Sequence, residues 1–467
     1  MSALRLTPLI LAVALFMENM DSTVIATSLA AIAADIGSDP ISLKLAMTAY
    51  LVAMAIFVPV SSWMADRFGS RNVFRLAMIV FIIGSICCAM SNSLLTFVAS
   101  RFLQGMGGAM MTPVARLVLV RATPRDQLID AMAWLTIPGL IGPIVGPPFG
   151  GFLTTYFSWH WIFLINVPIG IIGVVLVSRF LPEIHRNAPR RIDVPGFFLA
   201  GIAFAGVVFG LSVLTLPALP WWVGAASLAA GLVSGVIYVR HALRTEYPLL
   251  DVRLLRLPLF RSTIIAGNFF RLGMGAVPFL LPLMLQLSFG LSPFESGMIT
   301  FAAAVGAIIA KFAAEWIYER FGFRQGLTAG TFVSMLGVLS MAFYEPATAT
   351  ALIVAVLIVF GFAQSVIWTG LNAFQFADVD DKDASQANVI GQVLGQTMFA
   401  LGVALGGGAL ELSHILRGGE LVVGDFHNAF LVVAAVVLIA PILFARLPKY
   451  AGSNISGHGN RKPLTSE

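Results

Sequence analysis

Two acidic residues lie inside the first long apolar run of the chain. Glu18 and Asp21 are three residues apart, so they would share one face of a helix. A carboxyl group at bilayer depth costs about 2.5–3.5 kcal/mol on insertion scales and normally faces a cavity or a partner. Two acids on one face also repel each other, which favours protonation of at least one. The pair predicts proton-coupled chemistry; the alternative is a structural pair satisfied by Arg101 of the fourth apolar run.

A second group of charged residues lies in the ninth and tenth apolar runs. Lys311 and Glu315 are spaced i, i+4 and could simply neutralise each other. Arg271 has no such local partner, so it predicts either an anion contact or a pair with an acid in another helix. We predict a substrate cavity formed by this arginine together with polar and aromatic residues of several spans. Its residues are Gln104, Asn268, Arg271, Gln364, Trp368 and Asn372.

The elements that must position these residues are membrane spans. Of 467 residues, 58% are apolar and 11% are charged, whereas soluble domains have about 45–50% and about 25%. This excludes an ordinary soluble enzyme, a disordered chain and a nucleic-acid binder. Windows of about 19 residues predict fourteen spans, at 8–33, 45–65, 74–92, 95–119, 128–153, 161–180, 195–216, 222–240, 262–288, 295–318, 326–344, 349–374, 386–412 and 424–446.

The distribution of Lys and Arg predicts the orientation of these spans. The basic residues cluster in every second loop, and the opposite loops hold only Lys44 and Arg417. Basic loops face the cytoplasm, so both termini are expected there, which requires an even number of spans. The acidic stretch Asp378 to Asp383 fits this rule poorly, although acids count little in it.

A short motif recurs and divides the chain. The segment 65–71, Ala-Asp-Arg-Phe-Gly-Ser-Arg, returns at 318–324 as Tyr-Glu-Arg-Phe-Gly-Phe-Arg. Each copy ends the second span of a six-span block, and paired blocks are a transporter plan. We predict an all-α polytopic membrane protein with a six-helix half at 1–180, an inserted two-helix hairpin with its linkers at 181–254, a second half at 255–450 and a cytoplasmic tail at 451–467.

The repeated turn and a glycine stripe each have a local physical explanation. Glycine permits a tight reversal with positive φ, and the acid at the second position could cap a neighbouring helix. We interpret the two copies as a conformational latch formed by Asp66, Arg67, Gly69, Arg71, Glu319, Arg320, Gly322 and Arg324. In the fifth span, glycines four residues apart let helix backbones touch, and nearby prolines add kinks: Gly142, Pro143, Gly146, Pro147, Gly150 and Gly151.

Five segments in order resemble the major facilitator superfamily, and within it the fourteen-helix drug:proton antiporters of the EmrB/QacA type. In chain order they are Met20–Ala26, the turn at 65–71, Arg101–Ala109, Gly142–Gly151 and Trp159–Gly170. Two positions depart from the usual pattern: Ser62, just before the turn, stands where glycine is usual, and His160 stands where arginine is commoner. The resemblance implies two six-helix halves plus a hairpin, and export of small molecules against inward proton flow. It also implies that Asp21 is the coupling acid and Arg101 its partner, and that the fifth-helix glycines seal the route between the halves.

The resemblance further implies a bacterial cytoplasmic (inner) membrane location, with a small-molecule substrate, protons and the lipid bilayer as partners. No motif indicates a cofactor, metal site or nucleic acid. Three embedded bases, Arg101, Arg271 and Lys311, keep export of organic anions or metal chelates as an alternative. An importer on the same fold is disfavoured by the fifth-helix signature, and a membrane-embedded enzyme by the lack of a catalytic constellation. Whether a periplasmic adaptor protein is needed stays open.

Overall fold

The computed structural model describes residues 3–124, 127–181, 183, 192–216, 219–380 and 382–453, without the side chains of residues 3–6, 129 and 140. These ranges are helical and contain no strand. Several residues used in the orientation prediction lie outside them, namely Arg125, Arg186, Arg190, Arg191, Arg461 and Lys462, together with most of the predicted tail 451–467.

The first eight helices cover the predicted spans one to six. They are α1 (Ala3–Val24), α2 (Leu29–Asp35), α3 (Lys44–Phe68), α4 (Ser70–Ala89), α5 (Leu94–Ala122), α6 (Leu128–Tyr156), α7 (Trp161–Leu164) and α8 (Asn166–Phe180).

The remaining helices cover spans seven to fourteen. They are α9 (Val194–Leu214), α10 (Trp221–Arg244), α11 (Pro258–Leu283), α12 (Pro293–Met341), α13 (Thr350–Phe374), α14 (Ala384–Arg417), α15 (Val423–Val437) and α16 (Ile439–Ala445). In the described part of the chain, thirteen helical stretches are long and apolar enough to cross a membrane. One of them, α12, changes direction at Gly322 and covers the tenth predicted span and the eleventh as far as Met341. The all-helical, polytopic fold class is confirmed.

Both copies of the repeated turn adopt the backbone that their glycines permit. Gly69 has φ 87° and Gly322 has φ 72°, a region that other residues rarely adopt. Gly69 separates α3 from α4, and Gly322 breaks α12. The expected reversal at positive φ is confirmed in both places.

The first span is not one continuous helix. After α1 ends at Val24, a 3₁₀ turn at Ile25–Thr27 leads into α2. The Ser22 hydroxyl donates to the Asn19 carbonyl at 2.8 Å, and the Thr27 hydroxyl donates to the Val24 carbonyl at 3.3 Å. Hydroxyls that bond to carbonyls of the preceding turn tend to bend helices, which accounts for a break that hydropathy does not register.

The acidic loop that fits the charge rule poorly has a local purpose. The Asp378 carboxylate accepts the backbone N–H of Leu259 at 2.7 Å and that of Phe260 at 3.0 Å. These N–H groups belong to the first turn of α11, and the first turn of a helix has unsatisfied donors and a partial positive charge. An acid is therefore needed at this point of the fold regardless of the topology signal.

The chain forms two compact units, one of residues 1–249 with 285–298, and the other of residues 250–284 with 299–467. In the first unit, α1 packs along α6, α5 along α3 and α4, and the hairpin α9–α10 against α3. The Lys44 ammonium, fully buried, donates to the Thr215 hydroxyl at 3.0 Å. In the second unit, α11 packs along α14. The predicted domain limits stay a prediction.

Candidate functional site

A buried ion pair joins the first and fourth spans. The Arg101 guanidinium of α5 donates through Nη1 to the Asp21 carboxylate of α1, at 2.7 Å from Oδ2. The side chain of Asp21 is 0% exposed and that of Arg101 is 1% exposed. The structure thus brings together the two residues that the sequence predicts as partners.

Amide groups complete the surroundings of Asp21. Gln104 and Asn166 each donate a side-chain N–H to Asp21 Oδ1 at 2.8 Å. Gln104 also accepts from Arg101 Nη1 at 2.5 Å and donates to the Ser85 hydroxyl at 2.8 Å. The carboxylate on α1 is therefore held by residues of α5 and α8, and α4 joins the network through the Ser85 hydroxyl. Removing one member of such a network leaves its buried partners unpaired, which is costly in a low-dielectric interior.

Glycines allow the helices of this network to approach each other closely. A Cβ atom on Gly84 of α4 would lie 2.6 Å from Gln104 Cα, and one on Gly105 of α5 would lie 2.5 Å from the Tyr50 carbonyl oxygen. Both distances are far below ordinary contact, so only glycine permits these helices to approach. Gly105 belongs to the fourth-helix motif, which thereby gains a structural explanation.

Aromatic rings cover the cation. Arg101 Cζ lies 4.3 Å from the centre of the Tyr50 ring and 5.8 Å from that of Phe163, within the range of cation–π attraction. Among the described residues, Tyr50 Oη and Asn166 Oδ1 are buried without a hydrogen-bond partner. The site therefore has unused hydrogen-bonding capacity beside a carboxylate, which is a suitable environment for a proton.

Glu18 lies one turn from Asp21 and faces the same neighbouring helix. Its Oε2 accepts the Thr112 hydroxyl of α5 at 2.9 Å, and the residue is 6% exposed. Arg101 is hydrogen-bonded to Asp21, so the alternative in which one arginine satisfies both acids is not what the structure shows. Glu18 has a hydroxyl partner suited to a protonated carboxyl as well as to a carboxylate.

The first copy of the predicted latch contains two ion pairs. Asp66 Oδ1 lies 2.7 Å from Arg121 Nη1, at the end of α5, and Arg71 Nε lies 3.1 Å from Glu183 Oε2. Arg67 points to the surface. The turn between α3 and α4 is therefore tied by charge to the end of α5 and to the segment after α8.

The second copy is anchored differently. Tyr318 replaces Ala65 of the first copy, and its hydroxyl donates to the Val366 carbonyl at 2.9 Å while its ring stacks on Phe323 with centres 4.9 Å apart. Glu319 and Arg320 are exposed, and Arg324 is half-buried. The backbone of the motif is repeated, and Tyr318 adds contacts that the alanine of the first copy cannot make.

The fifth-helix glycines pack against the helix that carries Asp21. A Cβ on Gly142 would lie 2.9 Å from the Met20 nitrogen, and one on Gly150 would lie 2.5 Å from the Val24 carbonyl oxygen. Gly146, between them, faces Thr23 in the same way. The stripe is thus a close α1–α6 interface, as small residues four apart predict.

The other side of α6 is also closely packed. A Cβ on Gly151 would clash with the Pro293 carbonyl oxygen, and one on Gly297 would meet the Pro147 carbonyl. The Phe294 N–H donates to the Thr155 hydroxyl at 3.1 Å. All of these residues belong to the first compact unit. That the stripe seals a route through the protein remains a prediction, as does a specific role for Pro143.

The predicted substrate residues are divided between the two compact units. Gln104 belongs to the Asp21 network. Asn268, Arg271 and Trp368 lie close to one another in the second unit: Arg271 Nη1 is 3.3 Å from Asn268 Oδ1, and its Cζ is 5.3 Å from the centre of the Trp368 ring. Gln364 lies against the Met274 sulfur at 3.1 Å, and Asn372 is exposed.

Lys311 and Glu315 are both exposed, and no ion pair within 4 Å joins them in the described part of the chain. Neutralisation within the helix is therefore not what the structure shows. Their spacing permits a contact, but exposed side chains gain little from holding one.

Four residues of the network were not predicted from the sequence: Tyr50, Ser85, Thr112 and Asn166. One signal was available, because Asn166 is an amide within an apolar span and such groups face the bundle interior. Its partner could not be inferred without the packing of α8. Among the described residues, no three His, Cys, Asp or Glu side chains come together as metal ligands would.

Comparisons with known proteins agree with this architecture. A family model described as the Major Facilitator Superfamily matches residues 11–249 and 263–466. Relatives that are 34% identical over 451 residues include "Putative multidrug resistance protein MdtD" of Salmonella heidelberg (strain SL476) and of Salmonella typhimurium (strain LT2). Each alignment covers 96% of this chain and 95% of the relative. The sequence motifs predict a likeness to MdtD, and these alignments confirm it.

Solved structures show the same fold at low sequence identity. A D-xylose-proton symporter has a TM-score of 0.68 and 14% identity, covering 95% of this chain and 98% of that one. The POT family transporter PepTSo has a TM-score of 0.71 and 15% identity, covering 94% and 97%. At such identities the likeness concerns the fold alone. The family model and the MdtD relatives, each matching most of the chain, show that this protein belongs to the major facilitator superfamily of transporters.

Proposed function

We propose that this transporter exports drugs or other small molecules from the cytoplasm in exchange for protons, by alternating access. The observation that carries the proposal is the fully buried pair of Asp21 and Arg101. A buried ionised pair is costly and is often no more stable than apolar residues of the same volume. Its presence in a membrane-spanning helix therefore indicates function.

Protonation of Asp21 is the proposed coupling step. The neutral carboxyl no longer balances the charge of Arg101, and an uncompensated buried charge costs about 3–5 kcal/mol. Rearrangement of the Arg101 side chain, or of the helices around it, relieves this cost. A proton arriving at Asp21 thus shifts the balance between two arrangements of the transporter, as coupling between two sites requires.

The α1–α6 interface gives this step a mechanical consequence. Because the glycine stripe fixes α6 closely to α1, a movement of the helix that carries Asp21 carries α6 with it. The Asp66–Arg121 pair ties the cytoplasmic end of α5, the helix that carries Arg101, to the repeated turn. Both features support a transmitted motion, and we propose that the latch breaks and reforms in each cycle.

The direction of transport and the membrane in which the protein lies are part of the same proposal. The relatives named as multidrug resistance proteins support efflux, and they favour a bacterial inner membrane. The concentration of basic residues in alternate loops supports cytoplasmic termini. Export of organic anions or metal chelates differs from drug export only in the substrate, since the coupling site is the same.

Transport by purified protein in liposomes tests the coupling. We expect an acidic lumen to drive uptake of rhodamine 123, a cationic dye, or sulforhodamine B, an anionic dye with the same ring system. In Asp21→Asn, the pH gradient should no longer accelerate uptake, although exchange without a gradient should persist. The matched control is Asp35→Asn, since Asp35 is 56% exposed. An Asp21→Asn variant that responds to the gradient as wild type does would refute the assignment.

A further inference from the structure

Arg271 is a second buried guanidinium, and its hydrogen bonding is incomplete. It lies in α11 and is 6% exposed. Its Nη1 reaches Asn268 Oδ1 and the Gly391 carbonyl oxygen, both at 3.3 Å, beyond the usual 2.9–3.0 Å for such bonds. Among the described residues, Nε is buried without any hydrogen-bond partner. Both partners are neutral oxygens.

The charge of Arg271 is not balanced by an acid. In the part of the chain that the structure describes, no carboxylate lies within 4 Å of this guanidinium. Arg101 provides the comparison: it is also buried and its Nε also lacks a partner, but its Nη1 bonds to the Asp21 carboxylate at 2.7 Å. Leaving a buried charge unpaired costs several kcal/mol. An anion that comes from outside the chain would remove that cost.

The surroundings of Arg271 are suited to a planar molecule. The Trp368 ring centre lies 5.3 Å from Arg271 Cζ. Trp368 itself stacks on Phe399, with centres 5.7 Å apart and planes 12° apart, and meets Phe270 edge-on at 5.9 Å. Aromatic faces of this kind bind flat apolar rings. The site therefore combines one unpaired cation with an aromatic cluster.

Glycines on α14 lie directly beside the buried guanidinium. A Cβ on Gly395 would lie 3.4 Å from Arg271 Cζ, and Gly391 presents its carbonyl rather than a side chain. A larger residue at position 395 would cover this side of the guanidinium. With glycine there, a bound group can approach its N–H edge.

We propose that Arg271 and Trp368 form the substrate's anion subsite, which binds a carboxylate or sulfonate attached to an aromatic ring. The anion accepts hydrogen bonds from the Nε and Nη groups in a forked arrangement, and the ring lies against Trp368. This rests on the proposed transport function and assigns its substrate class: aromatic organic anions.

Equilibrium binding without a pH gradient tests the proposal apart from proton coupling. The protein in lipid nanodiscs is titrated with sulforhodamine B and, separately, with rhodamine 123, and binding is followed by fluorescence polarisation. We expect wild type to bind sulforhodamine B more tightly. Arg271→Gln should lose about ten- to hundredfold in affinity for the anionic dye, the range for hydrogen bonds to a charged group, and should change little toward the cationic dye.

Two further variants keep the result interpretable. Lys311→Gln removes the same charge from the exposed surface of the same unit and should leave both affinities unchanged. Arg271→Lys keeps the charge but not the fork, so its affinity for sulforhodamine B should lie between wild type and Arg271→Gln. A monodisperse Arg271→Gln that binds sulforhodamine B as wild type does, or a wild type that does not bind it, overturns the anion subsite. Neither outcome bears on proton coupling through Asp21, which the liposome assay with a pH gradient tests separately.

Discussion

Replacement of Gly150 by alanine should separate α6 from α1, the helix that carries Asp21. The new Cβ would lie 2.5 Å from the Val24 carbonyl oxygen, whereas ordinary contact begins at 3.4 Å. The α1–α6 interface must therefore open by about 0.9 Å, because the obstacle is backbone and cannot rotate away. Overpacking of this kind costs about 1–3 kcal/mol.

Gly139 of the same helix provides the control. A Cβ there would meet nothing closer than 3.8 Å, so Gly139→Ala has the same change in helix propensity without the clash. The assay is unfolding in mixed micelles titrated with SDS and followed by intrinsic fluorescence. We expect Gly150→Ala to have a free energy of unfolding about 1–3 kcal/mol below that of Gly139→Ala. Equal values for the two variants would refute the close approach.

Three further predictions concern the turns and the latch. Asp66→Ala should leave dye binding intact but slow turnover about three- to tenfold, or about 0.7–1.4 kcal/mol on the barrier; unchanged turnover in liposomes would contradict the latch. Gly69→Ala places a Cβ at φ 87° and should lower the free energy of unfolding by about 1–3 kcal/mol, measured by the same SDS titration. Asp378→Ala removes the acceptor for the first N–H groups of α11 and should cost about 0.5–2 kcal/mol; stability equal to wild type would contradict the capping role.

Features that depend on local sequence were predictable. The spans follow from hydropathy, and both turn glycines have the positive φ that their motif requires. The pairing of Asp21 with Arg101 was also accessible, because an embedded acid needs an embedded partner and few bases lie inside the spans. The resemblance to a known family pointed to the same two residues.

Features that depend on how helices pack were not predictable. Asn166 could be recognised as an embedded amide, but its bond to Asp21 depends on where α8 lies. Gln104 was expected in a substrate cavity, whereas the structure places it in the Asp21 network, since glycine at position 84 lets α4 approach it closely. The capping role of Asp378 likewise joins residues more than a hundred positions apart.

Proton release on substrate binding tests the central claim most directly. Purified wild-type protein in weakly buffered detergent solution, held at a pH where it binds protons, is mixed with sulforhodamine B or rhodamine 123 while the pH is recorded. If substrate and proton compete through Asp21, the transported dye releases protons from wild type, and reciprocity requires its affinity to fall as pH falls. Asp21→Asn should release none and bind the dye independently of pH. Undiminished proton release from Asp21→Asn would contradict the account.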